Sequence, residues 1–453
     1  MQNLFGVFVP AAVFRKKMMK LNKLICLALG AALLVVGSQS AVAQSSLNAY
    51  SPYTFYGIGD IHEQGIAATR AMGGVALGFR SPLHINTVNP AAYSSVRSNS
   101  FLSNFDMDGQ NVYARSADAK TSNNTFNIRN ISMAFPLGKG LGAALSVTPY
   151  SSVGYRVQFY DQNPDVLAGI GQVLYGYSGT GDVTQFKAGI GWELFKNFSV
   201  GADLLYYHGK ISRTYNAIPT VITGAGSFHT LMGSINENID SFYGSVGVQW
   251  SPIVNTTNVL TIGATYQMGG KMGGNVTEVV PVNATLAPEI NAVEKEYEST
   301  FSMANTIGFG FYYYQNKWAV GADWKYSDWA NHNKGDVAEN IYFRDTHKVS
   351  VGGQYTPNPG DVRNFLNRWT YRAGVRWAQN YVVLNDTPIS DVALTMGVGI
   401  PIRITGLSNM NLGLELGQRG TTKSGLIREN YLNFTIGFSF FGEDYWFMKV
   451  KYD

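Results

Sequence analysis

Thr184-Gln185-Phe186-Lys187-Ala188-Gly189-Ile190-Gly191-Trp192-Glu193-Leu194 carries the pattern that decides the fold. Thr184, Phe186, Ala188, Ile190, Trp192 and Leu194 make one face. Gln185, Lys187, Gly189, Gly191 and Glu193 make the other. Period two is the side-chain period of a β-strand. An apolar face backed by a polar one over about 9–11 residues suits a strand with lipid on one side and a lumen on the other. The pattern returns at 318–326, where Trp318, Val320, Ala322, Trp324 and Tyr326 oppose Ala319, Gly321, Asp323 and Lys325. It returns again at 369–377, with Trp369, Tyr371, Ala373, Val375 and Trp377 against Thr370, Arg372, Gly374 and Arg376, and at 432–440. Similar alternation runs through 242–251, 305–313, 347–355, 392–400 and 411–417. A soluble sandwich alternates too. Trp, Tyr or Phe at both ends of many apolar faces is what points to two membrane interfaces.

Composition agrees. Charged residues are 14% of the 453, against about 25% in soluble domains, while aromatics are 13% and glycines number 50. At the N-terminus, Arg15, Lys16, Lys17, Lys20 and Lys23 precede an apolar run, Leu24 to Val36, and Ala41-Val42-Ala43 stands before Gln44. A basic region, a short apolar run and an A-x-A site make a secretory signal peptide, expected at 1–43, with Met1 or Met19 as its start. Its removal takes five of the 34 basic residues and none of the 30 acidic ones, so the mature chain is near neutral and has no basic footprint for nucleic acid. The single cysteine, Cys26, lies in the apolar run, so no thiol chemistry is expected in the mature chain.

The connections fall into two alternating sets. Short ones include Leu137-Gly138-Lys139-Gly140, Phe195-Lys196-Asn197, Gln315-Asn316-Lys317 and Gly406-Leu407-Ser408-Asn409. Longer ones are expected at roughly 160–181, 212–239, 269–299 and 327–345. Short periplasmic turns and longer external loops are the habit of outer-membrane barrels. The expected fold is an all-β, transmembrane antiparallel β-barrel of about 14 strands over 98–441, the last strand at 430–441. A periplasmic tail follows at 442–453, in which 445–452 could instead be a further strand. Residues 44–97 do not alternate and read either as a periplasmic extension or as a hatch inside the lumen. Asn89-Pro90-Ala91-Ala92 starts a helix there, Asn as cap and Pro at the first helical position. Fourteen strands enclose more space than wall side chains can fill.

This combination resembles the FadL-like family of outer-membrane transporters for long-chain fatty acids and other hydrophobic compounds. The resemblance covers the mature length. It rests on Asn89-Pro90-Ala91, which matches the family's hatch motif, on Arg70-Ala71-Met72-Gly73-Gly74, which is similar to its glycine-rich stretch, and on the third strand. Tyr93 departs from the small residue found there in many members. The resemblance implies a lumen hatch holding Gly73, Gly74, Asn89, Pro90 and Ala91, and a third strand kinked inward to leave an opening in the wall. That strand, about 141–158, contains Thr148-Pro149-Tyr150-Ser151-Ser152-Val153-Gly154. Proline cannot donate to a ladder, so Pro149 is expected to mark an interruption, with Tyr150 and Val153 lining the gap. The other reading is that the membrane part ends at Thr148.

No catalytic, metal or cofactor site is expected. His62, His84, His208, His229, His332 and His347 show no metal-ligand spacing. Asp345-Thr346-His347 has no nucleophile assigned to it and reads more simply as a strand start. The lumen-facing Lys187, Glu193, Asp203, Asp323, Lys325, Arg372, Arg376 and Glu415 are expected to form an ion-pair network holding the hatch, with binding of a polar solute as the other reading. The expected function is passive transport of hydrophobic solutes across the outer membrane of a Gram-negative cell. The alternatives are an accessory barrel subunit of an outer-membrane assembly or secretion complex, and a hydrophilic porin. Expected partners are outer-membrane lipid, a hydrophobic small-molecule ligand and other outer-membrane proteins.

Overall fold

The computed structural model describes residues 49–116, 119–169, 171–219, 229–281, 292–333, 336–338, 340–402 and 407–443. The expected signal peptide, residues 44–48 and the tail from 444 onward lie outside these. The wall is built from β2 (Ser100–Arg115), β3 (Lys120–Gly138), β4 (Leu141–Tyr160), β5 (Val173–Phe195), β6 (Phe198–Pro219), β7 (Leu231–Val254) and β8 (Asn258–Gln267). It continues through β13 (Thr306–Gln315), β14 (Trp318–Ser327), β17 (Thr346–Tyr355), β18 (Thr370–Leu384), β19 (Thr387–Ile402), β20 (Ser408–Arg419) and β21 (Arg428–Glu443). Each pairs antiparallel with the next, and β21 pairs back onto β2 from Ser100↔Glu443 to Arg115↔Arg428. The result is a closed barrel of fourteen strands. Because β21 ends at Glu443, Gly442 belongs to the wall and not to the tail.

Period two sets the register, since one residue of slip would turn every apolar side chain inward. Ile190, Val320, Val375 and Phe434 are each about half exposed on the outer face. Asp323 and Arg376, on the same strands as Val320 and Val375, are buried on the inner one. At one end the turns are tight. Lys139-Gly140, Lys196-Asn197 and Asn316-Lys317 each link two strands, with Gly140, Asn197 and Asn316 at positive φ. The link between β17 and β18 is longer, and only Leu407 of the expected turn before β20 falls between described strands, because Ser408 and Asn409 already pair with β19.

The external side differs from the expected loops. β6 and β7 continue their ladder out to Ala217↔Leu231. Beyond β8 and β9 (Gly270–Lys271), β10 (Gly274–Pro281) pairs with both β7 and β11 (Ala292–Glu298). β12 (Ser302–Met303) joins β9. β15 (Asp336–Ala338) and β16 (Ile341–Phe343) extend the wall beside β18. The described parts of 212–239 and 269–299 are thus largely strand. Above the membrane both faces of a sheet can be wet, so the ladder persists without the alternation that reveals it in sequence. One external connection is very short: Asn385-Asp386, both at positive φ, is a two-residue hairpin turn.

Candidate functional site

Residues 49–97 form short elements, namely 3-10 turns at Pro52–Thr54 and Pro90–Ser95, a helix at Ala67–Arg70 and β1 (Asp60–Ile61). Their backbone lies on the inner face of the wall, and glycine makes that approach feasible. Gly191, Gly201 and Gly247 are direct cross-strand partners on β5, β6 and β7. A Cβ on Gly191 would stand 2.4 Å from the Pro90 carbonyl oxygen, one on Gly201 2.4 Å from the Pro90 carbonyl carbon, and one on Gly247 2.2 Å from Asn89 Oδ1. The Asn-Pro-Ala turn therefore rests on a bare strip of backbone. Asn89 is fully buried: its Oδ1 accepts from Ala91 N, and its Nδ2 donates to Leu77 O at 2.9 Å and to Val248 O on β7 at 3.1 Å.

A second strip, Gly321, Gly352 and Gly374 on β14, β17 and β18, carries Val75 over Gly321 and Met72 and Gly73 over Gly352 and Gly374. Gly73 and Gly74 both adopt positive φ, and Gly73 N donates to Thr395 Oγ1 at 2.8 Å. Tyr93 lies with Leu102, Ala134 and Ala144 in a buried cluster under the turn. The strips were visible in the sequence only as inward glycines on neighbouring strands. Gly201→Ala is expected to lower stability by about 1–3 kcal/mol, because the atoms it meets are backbone and cannot rotate away. Thermal unfolding in detergent measures this. Gly138→Ala, with nothing within 4 Å of its Cβ, is the control and should be neutral.

The eight predicted lumen residues do not form one network. Five reach residues 49–97 directly, Asp203 among them through the Tyr93 hydroxyl. Glu193 lies 3.8 Å from Arg80, and Lys187 Nζ donates to Thr87 O at 2.6 Å. Asp323 Oδ2 accepts from Ala76 N and Leu77 N at 2.6 and 2.8 Å, and Arg376 lies 3.4 Å from Glu63. Asp203 braces Lys187 at 3.8 Å and Glu415 braces Arg376 at 2.5 Å. Arg372 donates to the neutral amides of Gln354 and Asn411. Lys325 lines an open cavity. Sequence reasoning missed a second set on β2, β3, β20 and β21. Asp108 binds Arg70 at 2.6 Å and Arg129 at 3.0 Å, Asp106 accepts from Ala67 N, and Arg419 pairs with Asp60 and Glu429. Their partners sit in a segment that shows no strand pattern, so nothing local marked them. Asp345 accepts from Tyr326 Oη and Ala330 N where β17 begins.

Pro149 does not break β4, which runs unbroken from Leu141 to Tyr160. The ladder to β5 absorbs the proline as a bulge between Pro149 and Ser151. The change is on the other edge, where the ladder to β3 stops at Ile131↔Val147. Above that level residues 49–97 take β3's place. β1 pairs Asp60↔Ser152 and Ile61↔Ser151, His62 N donates to Tyr150 O, and Ser51 N donates to Gly154 O, both at 2.8 Å. His62 Nε2 meets Ser152 Oγ at 2.7 Å, and burial pushes His62 down to about 3. Tyr150 and Val153 are packed into an apolar cluster with Ile58, Leu205, Ile211 and Tyr207.

Residues 24–453 match the model of the BamG family. The chain belongs to the BamG family. No curated protein matches its sequence. Among solved structures, this BamG-family barrel is similar to the toluene transporter TodX of P. putida, at 16% identity and a TM-score of 0.57 over 85% of this chain and 99% of that one. A Pseudomonas aeruginosa FadL homologue aligns at 11% identity and a TM-score of 0.55, covering 84% and 99%. The toluene transporter TbuX of Ralstonia pickettii aligns at 15% and 0.53, covering 83% and 98%. At these identities the likeness establishes the FadL-type barrel fold alone; the closed fourteen-stranded wall with its apolar outer face agrees with the expected outer-membrane location.

Proposed function

We propose that this chain passes hydrophobic solutes, long-chain fatty acids among them, passively through the outer membrane, with residues 44–97 as its hatch. The observation that carries this reading is the seam between β3 and β4 above Val147, where β4 exchanges a wall neighbour for the hatch. Solute captured among the external strands moves to the cavity over the hatch. It then leaves sideways as β1 peels from β4, or downward after the hatch shifts. Apolar burial drives binding, at roughly 25 cal/mol per Å² removed from water.

Ile61 and Ser151 are direct antiparallel partners, a spacing that accepts a disulfide. With Cys26 in the expected signal peptide, an Ile61→Cys/Ser151→Cys pair has no competing thiol. Oxidation is expected to stop uptake of labelled oleate and toluene, and reductant to restore it. Unchanged uptake in the fully oxidised variant would remove the sideways route.

A second reading, an accessory barrel subunit of an outer-membrane assembly or secretion complex, is favoured by how firmly the lumen is filled. Ties run from Asp106 on β2 round to Glu429 on β21. A partner that stays bound through mild detergent extraction, together with uptake indifferent to the disulfide, would select this reading.

A further inference from the structure

β14 and β17 set Lys325 directly opposite Lys348. Both are on the inner face, since Lys325 lies two residues from Asp323 and both lysines line the same cavity. Like charges facing each other across a ladder are destabilising, so the pair needs a counter-charge. Lys348 has one in Glu63, but Arg376 draws on the same carboxylate. Among the described residues Lys325 has neither a carboxylate within 4.0 Å nor a hydrogen-bond partner. Its ammonium feels Glu63 and Asp323 only at longer range, both carboxylates being engaged by closer partners, and it faces open space.

That space is a cavity of about 250 Å³. Tyr150, Trp329 and Tyr381 line it, and the last two are stacked with centroids 4.8 Å apart. Gln267, Gln379 and Asn380 supply neutral polar groups. Its size falls below the roughly 300–1,000 Å³ of pockets for drug-sized ligands. A long acyl chain enters it only in part, whereas a compact body fits whole.

We propose that this cavity is a binding site for a small amphipathic anion, with a carboxylate at Lys325 and a compact aromatic body against Trp329 and Tyr381. The proposal rests on the reading that the chain carries hydrophobic solutes and narrows their class, but binding can be measured without transport. The probes are benzoate, benzyl alcohol as its neutral counterpart, and inorganic phosphate as an anion without an apolar body. Each is titrated calorimetrically into the full-length processed barrel in detergent.

Benzoate is expected to bind about tenfold or more tightly than either comparator, given the strength of a close ion pair away from bulk water. Lys325→Met should bring benzoate down to the level of benzyl alcohol, while Lys325→Arg keeps it. Without ligand, Lys325→Met should unfold at a higher temperature than the parent, because the opposed charge is gone. That readout also shows that the variant is folded. Benzoate binding unchanged in Lys325→Met, benzyl alcohol or phosphate binding as well as benzoate, or no benzoate binding to the parent would each overturn the site. If benzoate binds through Lys325 while cells lacking the barrel take up oleate, toluene and benzoate as fast as cells that have it, the site stands and the transport reading falls.

Discussion

Asp323→Ala is expected to cost about 2–6 kcal/mol and to free the hatch from one side of the barrel. A single carboxylate oxygen, Oδ2, accepts the backbone N–H groups of both Ala76 and Leu77. The side chain is 4% exposed, so water cannot easily replace it. Removing the acceptor leaves two buried donors unpaired, at about 1–3 kcal/mol each. Asp323→Asn keeps an acceptor oxygen in the same place and should cost much less. Thermal unfolding of the purified barrel measures the difference. Entry of a large hydrophilic antibiotic into cells reports on the plug, and should rise for alanine but not for asparagine. Equal stability and equal permeability for the two variants would mean that Asp323 does not anchor this segment.

Val320→Arg tests the outer face three residues away. Val320 is half exposed on the lipid side, between Trp318 and Tyr326, which mark the ends of the apolar stripe on β14. An arginine near the bilayer midplane costs about 2–4 kcal/mol, and less toward either interface. Reversible folding into lipid vesicles, followed by denaturant titration, gives the value. A cost near zero would place Val320 at an interface. Refolding in detergent micelles alone should show a smaller penalty, because a micelle deforms around the guanidinium more readily than a bilayer does.

The two variants mark what could be read from the sequence and what could not. The inner and outer sides of β5, β14, β18 and β21 follow from parity, because lipid on one side and a lumen on the other impose opposite demands on adjacent residues. The strand count follows from the same rule, since each crossing repeats it. The Asn89 cap was readable because Asn-Pro-Ala is a local signal. Which lumen charge meets which partner was not. Lys187 ends on a main-chain carbonyl and Asp323 on main-chain amides, and backbone groups have no signature in sequence. The seam was half visible. Pro149 marked the place, but the strand bends by a bulge while its other edge changes partner. A pairing between residues about ninety positions apart leaves no local trace. The tall external ladders were missed because the alternation that betrays a strand in lipid is not required above it.

The ties between residues 49–97 and the wall also constrain the order of assembly. Hairpins such as β5–β6 can zip up from their turns as local events. Ser51 on Glu429 joins residues 378 apart in sequence, and Asp60 on Arg419 is nearly as distant. Contacts of this separation form slowly, because the intervening chain must first be gathered. Ser51 and Asp60 thus wait for β20 and β21. With main chain lying flat on the glycine strips, the segment acts as a mandrel around which the sheet curls. The joint between β2 and β21 then closes last, and docking of the N-terminal segment and closure of the cylinder become one cooperative step. Weakening a glycine strip should therefore lengthen the lifetime of an open, unclosed sheet, a species with two long unpaired edges and a strong tendency to aggregate.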